Sequence, residues 1–291
     1  MSTETDSRIE EIEEAMLQSD FWSDSAKAQA MIKELQDLKD EAEGRGKYDR
    51  NDAVISIVAG AGGDDAEDFA RMLVEMYQKY AEKNGWSALV IDSNANDHNG
   101  YRNITFMISG KNAYGTLQSE SGVHRLVRIS PFNSNGKRQT SFVLVEVSPQ
   151  VDDTSAVDIS DEELEISFAR SGGAGGQNVN KRETAVRITH VPTNISVNVS
   201  SERSQQQNRE RALSLLTGKI FAFREEQRKR ELAGLSVESS VKIEWGSQIR
   251  SYVLHPYQLV KDHRTNVEIR NVSAVLEGDI QQFLDTAKDM S

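Results

Sequence analysis

Cysteine is absent from the 291 residues. That excludes disulfides and thiolate metal sites and fits a reducing cytoplasm. Apolar runs are short, and none approaches the roughly eighteen consecutive residues that a membrane helix needs. The five histidines are scattered, without HExxH spacing, so no metal centre is expected. No cofactor is expected either. The opening stretch MSTETDSRIEEIEEAML has no basic segment followed by an apolar one, so it does not read as a secretory signal.

What is present is globular: 37% hydrophobic and 27% charged residues. The length implies two or three domains. A net charge of −12 argues at first against nucleic acid, but the charge is segregated. Residues 1–50 hold 14 acidic and 7 basic side chains, a net of −7, whereas residues 170–230 hold 12 basic and 5 acidic, a net of +7. The local field is what a polyanion meets, because each Lys or Arg on a phosphate releases condensed counterions.

Along the chain, Ile9, Ile12 and Met16, then Met31, Leu35 and Leu38, recur at helical spacing with a break at SDFWSD. This predicts a short N-terminal helical domain over 1–48. Residues 49–155 read as an α+β domain. In it, AVISIVA has apolar residues on both faces of a strand and so reads as buried. A helix over 64–84 follows, with Phe69, Met72, Leu73, Met76 and Tyr77 as its stripe. A polar, acidic linker over 150–164 leads to a third domain, 156–245. It has three strands, the last two joined by VPTN, and a long basic helix over 204–233 with Leu213, Leu216, Ile220 and Phe223 on one face. Residues 246–291 supply further strands and a closing helix. The fold class is α+β and multidomain, its third domain an α/β unit that carries a glycine loop.

That loop, ARSGGAGGQNVNK, packs four glycines into five residues and then places a glutamine. A P-loop needs GxxxxGK[ST] and a dinucleotide fingerprint needs GxGxxG; neither is complete here. The bland alternative is a floppy connection between strands. Against it stand the entropy lost on ordering so many small residues and the flanking cations Arg170, Lys181 and Arg182. Glutamine is neither base nor nucleophile. A glycine-flanked glutamine can bring backbone N–H groups close to a reacting centre and stabilise an oxyanion there.

GAGGQNVN, AVRITHVPT and SERSQ resemble the catalytic domain of bacterial class-1 peptide chain release factors. DFWSD, AGAGGDDAEDFARMLVEMY, SGVHRLVRISPF, KRQTSF and WGSQIRSYVL resemble that family in the same order, over nearly the whole chain. The tripeptide Ser130-Pro131-Phe132 is similar to that of the release factor 2 type, which is paired with UAA and UGA. The resemblance implies a cytoplasmic, ribosome-dependent factor that promotes peptidyl-tRNA ester hydrolysis and is not a free-standing enzyme. Its partners would be ribosomal RNA of both subunits, stop-codon mRNA and peptidyl-tRNA, with a release-factor glutamine methyltransferase and a recycling GTPase besides.

Residue by residue, the resemblance makes Gly175, Gly176 and Gln177 the catalytic triplet, with Gln177 the site of N5-methylation. Ser130 would read the second base, Thr140 the third, and the helix start at Gly63–Asp65 the first uridine. Trp245 would sit in a switch loop. Arg170, Lys181, Arg182, Arg203, Arg209 and Arg211 would meet RNA phosphates. The sequence departs from the family at Gln139 and Asn178, where His is usual, at Asp65, where Glu is usual, and in a shorter N-terminal domain. Two rival readings follow: a codon-independent ribosome-rescue hydrolase, and an RNA-binding module without hydrolysis. His124 and His190 are expected to be packed rather than chemical.

Overall fold

The computed structural model describes residues 3–18, 28, 31–32, 35, 38–39, 46, 48–133, 136–151, 159–169, 184–202, 204–232 and 248–288. The chain divides into two compact units, Met1–Arg50 and Asn51–Ser291. In the first, helix α1 spans Thr3–Met16. Ile12, Ala28 and Leu35 are buried, and Lys39 reaches Glu13 at 2.5 Å.

The second unit is built on an eight-stranded sheet. Its N-terminal strands are β1 (Ala53–Ala59), β2 (Ser87–Ala95), β3 (Tyr101–Ser109), β4 (Gly122–Ile129) and β5 (Arg138–Pro149). The C-terminal segment adds β9 (Gln248–Val253), β10 (Leu259–Asp262) and β11 (Glu268–Ile269), giving the order β11-β10-β9-β4-β5-β1-β3-β2. Every pairing is antiparallel except β4 with β9. Helix α2 (Asp64–Lys83) packs on β1, β3 and β5 through Phe69, Leu73, Met76 and Tyr77, all fully buried. The helix α3 (Ala113–Leu117) lies between β3 and β4.

A three-stranded antiparallel sheet, β6 (Leu164–Ala169), β7 (Ala185–His190) and β8 (Ile195–Val199), is covered by the long helix α4 (Gln205–Leu232). The short α5 (Val272–Leu276) and α6 (Gln281–Lys288) close the chain. Among the described residues no helix is long and apolar enough to cross a membrane.

β1 is buried on both faces from Ala53 to Ile57, and it opens to solvent only at Val58. The second face is covered by the small sheet. Val54 and Ile91 join one core with Val186, Ile188, Val197 and Val199 and with Ala212, Leu215, Leu216 and Ile220 of α4. Ile55 and Ile57 point the other way by strand alternation. The helix therefore buries a stripe that includes Leu215, which the expected face lacked, while Leu213 packs only at its edge. Polar contacts fasten the two sheets. Ser214 Oγ accepts from Gln150 Nε2 at 2.7 Å and donates to the Val151 carbonyl at 2.6 Å. Asp92 accepts from Asn198 and Ser200 at 3.0 and 2.8 Å.

Gly218 marks the closest approach. A Cβ there would stand 2.1 Å from the Pro149 carbonyl oxygen. Alanine normally favours a helix over glycine by about 1 kcal/mol. Here the neighbour is backbone and cannot rotate away, so the clash wins. Gly218→Ala is expected to lose about 1–3 kcal/mol of stability in urea unfolding; a stabilised variant would show that α4 can lift from β5 at no cost.

Candidate nucleic-acid interface

At one rim of the large sheet, three expected segments meet. β4 ends at Ile129, and Ser130 follows in a turn closed by Ser130 N–H donating to the Lys137 carbonyl. Ser130 is buried, and its Oγ accepts from the Phe132 N–H at 3.1 Å. This local bond holds the tripeptide in a fixed bend. It uses one acceptor site of the hydroxyl and leaves its O–H free to donate. Pro131 is exposed, and so is Phe132, with 40% of its surface open.

β5 returns beside β4, with Gln139 opposite Arg128 and Thr140 opposite Val127. Gln139 and Thr140 are both exposed. The next residue, Ser141, is buried against the glycine loop after β1. That loop is pinned by the Gly60 N–H on the Phe142 carbonyl and the Phe142 N–H on the Ala61 carbonyl, both 2.9 Å. Gly62 has φ +139°, and a Cβ would fall 2.6 Å from Ser141 Oγ, so only glycine fits. Gly63, at φ 57°, then caps α2 without a side-chain bond, and a Cβ there would meet open space. The helix start thus stands unobstructed beside Ser141, one residue from Thr140.

Asp65 does not face that space. It is buried, and its Oδ1 accepts from Arg128 Nε and Nη2 at 3.0 and 2.8 Å. Arg128 Nη2 also lies 2.7 Å from Asp68 Oδ2. Burial acts to raise the Asp68 carboxyl, but hydrogen bonds from Arg71 and Arg128 more than offset it and hold it below its ordinary value. The Arg128 guanidinium also stands over the Phe132 ring, 6.0 Å from its centroid. His98, on the turn between β2 and β3, also neighbours that ring, with centroids 5.9 Å apart. Neither Arg128 nor His98 was singled out in the sequence. Arg128 is one strand residue before the tripeptide's flank, in HRLVRISPF, and that proximity was the available signal. His98 carried no signal, because only the fold brings its turn here.

Beneath the rim is a buried ionic cluster. Arg250 of β9 is fully buried and donates to both Glu120 oxygens, at 2.6 and 2.7 Å, and to Asp262 at 3.1 Å. Its flat face covers the Phe283 ring of α6 at 4.3 Å. Tyr77 donates to Glu120 at 3.0 Å, and Arg264 caps Asp262 at 2.8 Å. His124 Nε2 lies 3.1 Å from the Glu120 carbonyl, which can only accept, so that nitrogen carries the proton. Nδ1, at 3.3 Å from the Tyr252 hydroxyl, is then the acceptor of a neutral ring. Burial pushes this imidazole down to about 4. His190 is also packed, its Nδ1 2.7 Å from the Thr193 hydroxyl.

The remaining expected residues divide. Arg209 is exposed on α4, while Arg211 is tied to Glu202 at 3.1 Å. Gly175, Gly176, Gln177, Arg170, Lys181, Arg182, Arg203 and Trp245 lie outside the described residues.

Comparison with known proteins bears on this rim. The PCRF domain family matches residues 42–145 and the RF-1 domain family residues 152–264. Peptide chain release factor 2 of Clostridium perfringens is 49% identical over 259 residues, covering 89% of this chain and 71% of that protein. The chain belongs to the bacterial class-1 peptide chain release factors, of the release factor 2 type. Release factor 2 of Listeria monocytogenes is 40% identical over 328 residues, covering 96% of this chain and 89% of its own length. Among solved structures, the RF2 of Thermus thermophilus is similar with a TM-score of 0.73 and 38% identity, over 97% of this chain and 80% of that one. As a release factor the protein falls in the class of translation-termination factors. The mixed α/β multidomain architecture is that of the Thermus structure.

Proposed function

We propose that this release factor reads UAA and UGA in the ribosomal A site and promotes hydrolysis of the peptidyl-tRNA ester through Gly175, Gly176 and Gln177. The observation that carries the decoding half is the convergence of the Ser130–Phe132 turn, the Thr140 strand position and the open helix start at Gly63 on one rim. First-turn backbone N–H groups of α2 suit the carbonyl oxygens of a uracil. The Ser130 hydroxyl donates to guanine O6 or accepts from the adenine amino group, which permits either purine at the second position. Thr140 meets the third base. With Asp65 turned onto Arg128, first-base contacts come from backbone rather than from that carboxylate.

In the hydrolytic half, water adds to the ester carbonyl and the bond to the ribose 3′-oxygen breaks. The peptide leaves as its carboxylic acid and the tRNA keeps a 3′-hydroxyl. The Gln177 backbone N–H stabilises the developing oxyanion, and the neutral side chain places the water without the desolvation cost of a charge. Arg170, Lys181, Arg182, Arg203 and Arg209 meet RNA phosphates. N5-methylation of Gln177, a cytoplasmic location, a switch role for Trp245 and contact with a recycling GTPase belong to the same reading. So does a division of residues 49–291 into a decoding domain of 49–155 with 246–291 and a catalytic domain of 156–245.

The test is peptide release from purified ribosomes with UAA, UGA, UAG, a sense codon or no codon in the A site. Release on UAA and UGA alone is expected. Release on sense or vacant A sites would make the chain a rescue factor and remove the roles of Ser130 and Thr140. Binding with no dependence of release on Gln177 in a Gln177→Ala variant would leave an RNA-binding module.

A further inference from the structure

Asp65 and the tripeptide turn belong to different elements, yet one side chain holds both. Arg128 leaves β4 two residues before Ser130, and its guanidinium donates through Nε and Nη2 to Asp65 in the first turn of α2. Nη2 also reaches Asp68 one turn of sequence further on. A planar fork bound along one edge cannot rotate, so the orientation of its face is set by the helix. The guanidinium carbon so fixed stands over the Phe132 ring, 6.0 Å from its centroid. The second neighbour of the Phe132 ring, His98, is fastened to the same helix. The turn carrying His98 is organised by Asn96, whose Oδ1 accepts from the His98 and Gly100 N–H groups at 2.8 and 2.7 Å. Asn96 Nδ2 in turn donates to Glu67 at 2.6 Å. Both neighbours of the Phe132 ring are therefore registered to residues 65–68.

We infer that Arg128 is a positioning residue that couples the reading of the first and second codon bases, by locking the Ser130–Phe132 turn to the start of α2. The inference rests on the decoding function proposed above. A base that shifts the helix start moves the guanidinium, and through Phe132 it moves the Ser130 hydroxyl. A correct first base thus pre-sets the geometry for the second. The Arg128 and Asp65 side chains are 12% and 6% exposed, so the pair acts in a poorly screened environment. Lysine keeps the charge but cannot bridge Asp65 and Asp68 while presenting a flat face to Phe132.

The experiment uses the full chain and its Arg128→Lys variant on ribosomes carrying UAA, CAA, UCA or the doubly changed CCA. KM and kcat for peptide release are read separately. In the parent chain the penalty for CCA is expected to differ from the product of the CAA and UCA penalties. In Arg128→Lys the two penalties are expected to multiply independently. KM on UAA should rise about ten-fold or more while kcat at saturation stays within about two-fold, as expected when positioning rather than chemistry is lost. A purely structural salt bridge would instead lower the active fraction equally on every codon and leave the ratios unchanged, which overturns the inference. Unchanged kinetics would do the same. Failure of the decoding reading itself has another signature: the parent chain would release equally on all four codons, and the coupling would fall with it.

Discussion

Arg250→Met is expected to lower the unfolding free energy by about 3–5 kcal/mol. The methionine nearly matches the volume, so little of the loss is cavity. The loss comes from Glu120 and Asp262, which lie at 0% exposure and keep their charges when their shared cation goes. Tyr77 offers Glu120 one remaining donor, and Arg264 still caps Asp262, so Glu120 is the more exposed to the penalty. A double variant, Arg250→Met with Glu120→Leu, should recover much of the stability, because removing both partners removes the unpaired charge. Urea unfolding of the parent, single and double variants checks this. A single variant within about 1 kcal/mol of the parent, a typical point-mutation effect, would show that water enters the cluster and the ion pair is not what closes it.

The second large effect is acid sensitivity well above the carboxylate range. An unfolded histidine takes a proton near 6.5, but the folded His124 refuses it until about 4. Between those values the unfolded chain binds more protons than the native one, so stability falls as pH falls through that window. A difference of this size corresponds to about 3 kcal/mol, of which most is gone by pH 4.5. Burial also lowers His263, which adds to the same slope. Lower still, the carboxyls contribute. Burial acts to raise Glu120 and Asp262, but their arginine partners win and hold both down, Asp262 at about 2. Their stabilisation is present at neutral pH and drains as they are forced to protonate. Between pH 7 and the tyrosine range none of these groups changes, so they add no slope there. His124→Gln keeps a donor and an acceptor without a titration, so its urea midpoint should fall less steeply than the parent's from pH 6.5 to 4.5. Parallel slopes would show that His124 takes up its proton at the same pH in the native and the unfolded state.

Much of the fold was legible because its elements carry local signals. The strand alternation of LEISFA, AVRITH and ISVNV, the turn VPTN and the stripe of α2 each follow from a few neighbouring residues. The Gly62 turn was visible as a glycine cluster, but not why it needed glycine; that depends on Ser141, which is far away in the chain. The inward turn of Asp65 was illegible for the same reason. An acidic residue in a first helical turn looks sufficient as a dipole partner, and nothing local announces an arginine from another strand. The burial of Arg250 had no local signal either, because burial of a charge is decided by carboxylates on other segments. The docking of the small sheet on Val54 and Ile91 was foreshadowed only by the two-sided apolar pattern of β1, which says that a cover exists and not what it is.

The parallel pairing of β4 with β9 has a consequence for how the molecule comes into being. β4, Glu120 and His124 emerge from synthesis long before β9, Asp262 and Phe283. Until the last forty or so residues arrive, the middle of the large sheet has an open edge, and Glu120 has no arginine to neutralise it. A chain cut short before residue 248 keeps the Ser130–Phe132 turn, Thr140 and the start of α2, yet it lacks the strand and the cation that close the sheet behind them. Quality-control proteases, which cut chains in proportion to how often they are open, should therefore remove such fragments quickly.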